Sequence, residues 1–246
     1  VQNYLDTLRR EGVQGRQNAA ALLSLPPAEW ECALATNPHW LRVGTFQVLL
    51  DEAEDVLVAD CERAILITTF VARHAERTPV PLHAWSLWTK VRCDAWTTHG
   101  NVLLAFGEYD ATVNASYLAE NVASDSALLL QKTDAKHLRA RAWGRMERDT
   151  EALDLLDECL QVYGYCGHAC RYIRVLGSRA ILLCDMRQWS AAWHTLREAE
   201  TTARDVRYPP ITLAYEAMLH QCRESGLPDD GETMKPISLV ASRRME

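Results

Sequence analysis

Four basic side chains, His137, Arg141, Arg145 and Arg148, recur at spacings of four, four and three, which places them along one face of a helix. A guanidinium presents paired, planar donors that match a carboxylate or a phosphate, so the stripe suits capture of an acidic group. Lys132, Lys136 and Arg139 raise the local positive charge, and Arg174 comes from a later segment together with Arg171 and Arg179. Asp154, Asp157 and Glu158 cluster on the segment between. The expectation is a basic inner groove with an acidic outside. Its partner-binding residues are Asn101, His137, Arg141, Arg145, Arg148 and Arg174, and its partner is a protein or peptide of acidic character. The plainer alternative is a solvated helix face whose charges pair within the helix.

A second constellation is Cys166-Gly-His168-Ala-Cys170, with Cys159 nearby. Thiolates and imidazole are zinc ligands, but structural zinc sites favour longer spacings and four ligands, so an inter-helix loop is expected and no metal is assigned. The sequence contains no Gly-x-Ser-x-Gly, no phosphate-cradling Gly-Lys-Ser/Thr and no His-Glu-x-x-His. His39, His74, His83, His99, His194 and His220 are scattered, as hydrogen-bonded structural histidines are. Trp85 and Trp88 fit a core better than an aromatic recognition patch. Cys32, Cys61, Cys93, Cys159, Cys184 and Cys222 fit reduced, buried thiols. Neither catalysis nor a cofactor is expected.

The elements that carry these residues repeat. In steps of forty, Gly100, Ala140 and Ala180 fall in register, as do Leu103, Trp143 and Leu183. So do Gly107, Glu147 and Arg187, then Tyr109, Asp149 and Trp189, then Ala119, Cys159 and Ala199. A fixed period with small and large residues at fixed offsets marks a stacked array. The totals agree: 48% hydrophobic and 24% charged residues over 246 positions describe a well-packed chain rather than a disordered one. A net charge of -7 argues against nucleic acid as the partner. No apolar run approaches a membrane span and no targeting signal opens the chain, so a cytoplasmic location is expected.

Taken in order, residues 1–39 predict short helices packing on the array, with Pro26, Pro27 and Pro38 as breaks. Hairpins of helices are expected at about 40–77, 82–122, 133–163 and 171–204, within a repeat domain spanning 40–225. Asp60 is positioned to cap the second helix of the first pair. The acidic run Asp51, Glu52, Glu54 and Asp55 reads as a solvated face. A capping helix at 211–224 and a loosely ordered tail at 226–246 complete the chain.

Trp96, Gly100, Gly107, Tyr109 and Ala119 carry a resemblance to the tetratricopeptide repeat, followed more loosely by Ala140, Ala152 and Cys159 and by Ala180, Trp189, Ala192 and Ala199. The resemblance implies an all-α, right-handed stack of antiparallel hairpins, and a non-catalytic binding scaffold. Some relatives clamp a carboxylate with Lys and Asn on successive first helices. Asn101 and Arg141 stand at comparable places here, but Thr97 and His137 stand where Lys is usual. The period is forty where the family uses 34, and the extra residues are expected between units, around 163–171. His99 stands where the family favours Leu. The chain is also similar to helical-repeat regions that follow helix-turn-helix domains in some bacterial regulators, which implies a ligand- or peptide-sensing role as an alternative.

Overall fold

The computed structural model describes residues 2–79, 85–124 and 128–206, and all regular structure among them is helical. The helices are α1 (Gln2–Leu23), α2 (Trp30–Thr36), α3 (Val43–Val56), α4 (Cys61–Arg77), α5 (Trp85–Phe106), α6 (Tyr109–Ser124), α7 (Leu129–Arg145), α8 (Asp149–Tyr165), α9 (Ala169–Asp185) and α10 (Trp189–Asp205). Short 3-10 turns at Pro27–Glu29 and Pro38–Trp40 flank α2. Each helix from α3 onward packs on its neighbours in the chain, and α5 also touches α3 and α7 two elements away. That pattern is a TPR-like α-solenoid. The expected cap at 211–224, the tail at 226–246 and the expected opening of the second hairpin at 82–84 lie outside the described residues.

The turns explain the period. Gly107, Glu147, Gly167 and Arg187 all take positive φ, of 81°, 60°, 67° and 58°. In each case the next amide reaches back to the carbonyl five residues earlier: Glu108 to Leu103 (3.0 Å), Arg148 to Trp143 (3.0 Å), His168 to Tyr163 (2.9 Å) and Gln188 to Leu183 (2.8 Å). This is the Schellman closure, in which one left-handed residue satisfies carbonyls left orphaned at the helix end. From α7 onward every helix has 17 residues, and three residues separate each from the next. The sequence reading places the extra residues between units, and the structure does not: the links stay three residues long. The link 166–168 is as short as those within hairpins, and the added length is helix. Likewise α7 opens at Leu129 rather than at 133, and Leu129 then accepts the Thr133 hydroxyl (2.8 Å).

Small residues set how closely the helices approach. Ala140, Ala180, Ala119, Cys159 and Ala199 are all buried, with Ala152 and Ala192 between them. At Gly100 a methyl group would sit 2.4 Å from Leu138 Cδ2 and 3.3 Å from Ala115 Cβ, so the absent side chain is what admits Leu138 from α7. The tightest approach is at the other end. A methyl at Gly15 would lie 2.3 Å from the Gly44 carbonyl carbon, so α1 and α3 meet backbone to backbone.

Further along, Trp30 and Phe70 meet edge to face at 5.2 Å, as do Phe46 and Trp88 at 5.6 Å, within one apolar core that runs from α1 to α5. Trp88 is thus core, whereas Trp85 is exposed. Asp60 caps α4 by accepting the Arg63 amide at 2.9 Å. Of the cysteines placed in the core by pattern, Cys93 and Cys159 are buried, Cys61 and Cys184 are half-buried and Cys32 is exposed. Cys32 falls on the solvent side because α2 turns Trp30 and Leu34 inward instead. Cys222 lies outside the described residues.

Candidate functional site

The first helices of the successive hairpins, α3, α5, α7 and α9, face one another around a cavity of about 780 Å³. Asn101, Arg141, Arg145 and Arg174 line it, with Leu57, Leu104, Phe106 and Ile181 as apolar wall. A recess of about 180 Å³ adjoins it and shares Glu54, Asn101, Arg141 and Arg174. His137 lines this recess, beside Asp51, Thr98 and Arg171.

Three hydrogen bonds cross the concave face in sequence. Thr98 on α5 donates to Glu54 on α3 (3.3 Å), Arg141 on α7 donates through Nη1 to Asn101 Oδ1 on α5 (2.8 Å), and His137 Nε2 lies 2.8 Å from Ser178 Oγ on α9. Ser178 Oγ also lies 3.3 Å from the Arg174 carbonyl, so its one hydroxyl proton has two acceptors in reach, that carbonyl and the imidazole, according to the tautomer of His137. The Asn101–Arg141 bond joins residues forty apart. The repeat thus brings the same register position of two neighbouring helices together.

The charges on this face are only partly compensated. Among the described residues Arg141 has no carboxylate within 4.0 Å, and burial, then the nearby Arg174 and Arg145, pull its pKa down. Among the described residues neither Arg145 nor Arg174 lies within 4.0 Å of a carboxylate. His137 is 8% exposed, and burial together with Arg141 and Arg174 drives its pKa to about 3, so it is neutral at ordinary pH. It positions Ser178 and adds no positive charge, which corrects its place in a basic stripe. Three guanidiniums thus line the cavity without an ion pair among the described residues, although Glu54 on α3 and Asp185 on α9 also line it; a guanidinium in that state has donors left for a carboxylate.

Of the remaining cations named from the sequence, Arg171 lines the recess but is paired, and the others are placed elsewhere. Arg148 is exposed on the turn after α7, bonded to Glu151 (2.6 Å) and stacked over Trp143 at 4.4 Å, and it lines neither cavity. Arg139 is buried against Glu120 (2.7 Å), Lys132 lies 3.9 Å from the same Glu120, and Lys136 pairs with Glu158. Arg171 pairs with Asp134 (3.0 Å) and Arg179 with Asp157 (2.8 Å). The acidic outside is therefore largely engaged in holding the first helices: two of its three carboxylates, Asp157 and Glu158, are paired. In the Cys166 to Cys170 loop both thiols are exposed. Cys159 is buried under α7, donating to the Thr133 carbonyl at 3.6 Å, and burial raises its pKa to about 12. Among the described residues no cluster of three metal-ligating side chains forms.

Several lining residues escape a sequence reading. Asp51 and Glu54 belong to the acidic face of α3, which is solvent-exposed as expected, and they also line the open recess and, for Glu54, the cavity. Ser178 carried no signal in the sequence.

No family model matches the chain, and no curated protein does either. Solved structures do. The chain is similar to BtubC (BKLC) from P. vanneervenii, with a TM-score of 0.61 and 12% identity over 89% of this chain and 84% of that one. It is also similar to the nearly identical TPR-like repeats of a putative kinesin light chain from Podosopora anserina, with a TM-score of 0.55 and 13% identity over 75% and 88% of the two chains. A Q17M form of the same repeats gives 0.55 and 13% over 74% and 86%. At such identities the likeness establishes the TPR-like fold. No helix among the described residues is long and apolar enough to cross a membrane.

Proposed function

We propose that this chain is a non-catalytic scaffold whose concave cavity takes an acidic segment of another protein. The observation that carries the reading is the trio Arg141, Arg145 and Arg174, without carboxylate partners among the described residues, on a wall that also offers Leu104, Phe106 and Ile181 to an extended chain. A cavity of about 780 Å³ falls within the range that buries a short peptide or ligand, and its first-helix walls are rigid rather than loop-built. Each carboxylate seated on unpaired guanidiniums adds a charge-assisted bond without breaking an existing ion pair.

The test is selection of a randomised display library of capped peptides against the whole chain. Acidic peptides should be enriched, with affinity falling as salt is raised. The Arg141→Glu/Arg145→Glu variant should lose that enrichment while its circular dichroism stays that of the parent. Enrichment that ignores both substitutions would end the proposal.

A further inference from the structure

The recess beside the arginines also holds unpaired negative charge. Asp51 and Glu54 lie three residues apart on α3. Asp51 accepts from the neutral Gln47 amide (3.3 Å), and Glu54 from the neutral Thr98 hydroxyl (3.3 Å). Among the described residues neither has a cation within 4.0 Å. The other acids near the recess differ, since Asp94 pairs with Lys90, and Asp134 with Arg171 while also accepting the Tyr163 hydroxyl. Within the recess the unpaired carboxylates thus sit on α3, at one side, and the guanidiniums of Arg141 and Arg174, without ion pairs among the described residues, sit on α7 and α9 at the other; Asp185 on α9 lines the larger cavity but not the recess.

The size of the gap gives the pattern its meaning. Both sets line the same recess of about 180 Å³, which is the room of about six water molecules. Opposite charges therefore face each other across a few waters without closing into an ion pair. The hydrogen bonds from Thr98 to Glu54, from Arg141 to Asn101 and from His137 to Ser178 tie all four helices in place across this face. A wholly acidic ligand satisfies one wall and is repelled by the other.

Resting on the reading of the cavity as a carboxylate-binding groove, we infer that its occupant is dipolar: a segment with an acidic and a cationic side chain at adjacent or next-but-one positions. The carboxylate seats on Arg141 and Arg174, and the cation seats between Asp51 and Glu54. Extended chain advances about 3.3 Å per residue, so that spacing matches a gap of a few waters.

The same capped library separates the possibilities when selected against three forms of the whole chain: the parent, Asp51→Asn/Glu54→Gln, and Arg141→Gln/Arg174→Gln. The parent should enrich peptides carrying Asp or Glu within two positions of Lys or Arg. The Asp51→Asn/Glu54→Gln form should lose the preference for the cation, keep that for the carboxylate, and bind the parent's peptides about tenfold more weakly. The Arg141→Gln/Arg174→Gln form should lose the carboxylate preference. Enrichment of purely acidic peptides, unchanged by Asp51→Asn/Glu54→Gln, overturns the dipolar occupant and leaves the basic groove standing. Absence of any enrichment, or enrichment indifferent to both pairs of substitutions, overturns the groove as well.

Discussion

Arg139 and Arg141 stand two residues apart on α7 and have opposite roles. Arg139 points back to the preceding second helix, where it is 6% exposed, bonded to Glu120 at 2.7 Å and lying 4.3 Å above the Tyr117 ring. Arg141 points into the cavity and has Asn101 as its hydrogen-bond partner. The same contrast recurs along the stack. Forty residues either side of Arg139 stand His99, whose Nδ1 lies 3.0 Å from Thr68 on α4, and Arg179, which bonds Asp157 on α8. In each unit that position fastens a first helix to the second helix before it, while the position two residues on is left to face the groove. A count of arginines cannot distinguish a fastener from a contact; the distance to a counter-charge can.

The comparison breaks first at Arg139. Truncating it to Ala removes the charge-assisted bond to Glu120 and the stacking on Tyr117, while Lys132 stays 3.9 Å from that carboxylate; the loss is about 2–3 kcal/mol, and urea denaturation should show it while Arg141→Gln shows almost none. Equal losses at the two positions would dissolve the distinction. The next effect is in pH. His137 has a folded pKa of about 3 against an ordinary 6.5, lowered by burial and by Arg141 and Arg174. The unfolded chain therefore takes up a proton below pH 6.5 that the fold refuses. Stability is complete above that value and falls as pH drops toward 3, by at most about 1.4 kcal/mol per pH unit. His99, its pKa lowered by burial, acts in the same direction. Denaturation midpoints at about pH 7.5 and about pH 5 should differ clearly for the parent and less for His137→Gln, and an unchanged slope would mean that His137 is hydrated.

Smaller effects sharpen the same contrast. Glu147 and Arg187 hold left-handed φ without being glycine, so Glu147→Gly and Arg187→Gly should each stabilise by about 1 kcal/mol without altering peptide binding. A loss of binding there would show that the turns shape the groove. The smallest expected change in stability is that of Arg141→Gln itself, within about 0.5 kcal/mol, because the weakened bond to Asn101 is offset by relief from Arg174 and Arg145.

The array was legible in the sequence because its constraints are local and recur. Gly100, Ala140 and Ala180 are small where helices cross, and Gly107, Glu147 and Arg187 mark turns at one offset. The placement of the added length was not legible, since a forty-residue period does not say whether its surplus is helix or link. Half of the charge reading failed for a different reason. Glu120 lies on α6, nineteen residues before Arg139, and Asp157 on α8, twenty-two before Arg179. No rule of spacing within one helix connects such partners. The acidic face of α3 is exposed, as its pattern implies, but a polar stripe looks the same whether it meets bulk water alone or the mouth of a shared cavity.

The turns at 107, 147, 167 and 187 also constrain how such a chain can grow. Those from 147 onward are twenty residues apart, one helix with its turn. An added or lost unit of twenty would exchange every following helix between the inside and the outside of the curve, turning Arg174 away from Arg141 and a second-helix face toward the cavity. Length can change without reversing the groove only in steps of forty. Which faces line the concave side is thus a matter of parity, and a chain of this kind keeps that face only when it diverges in length by whole hairpins.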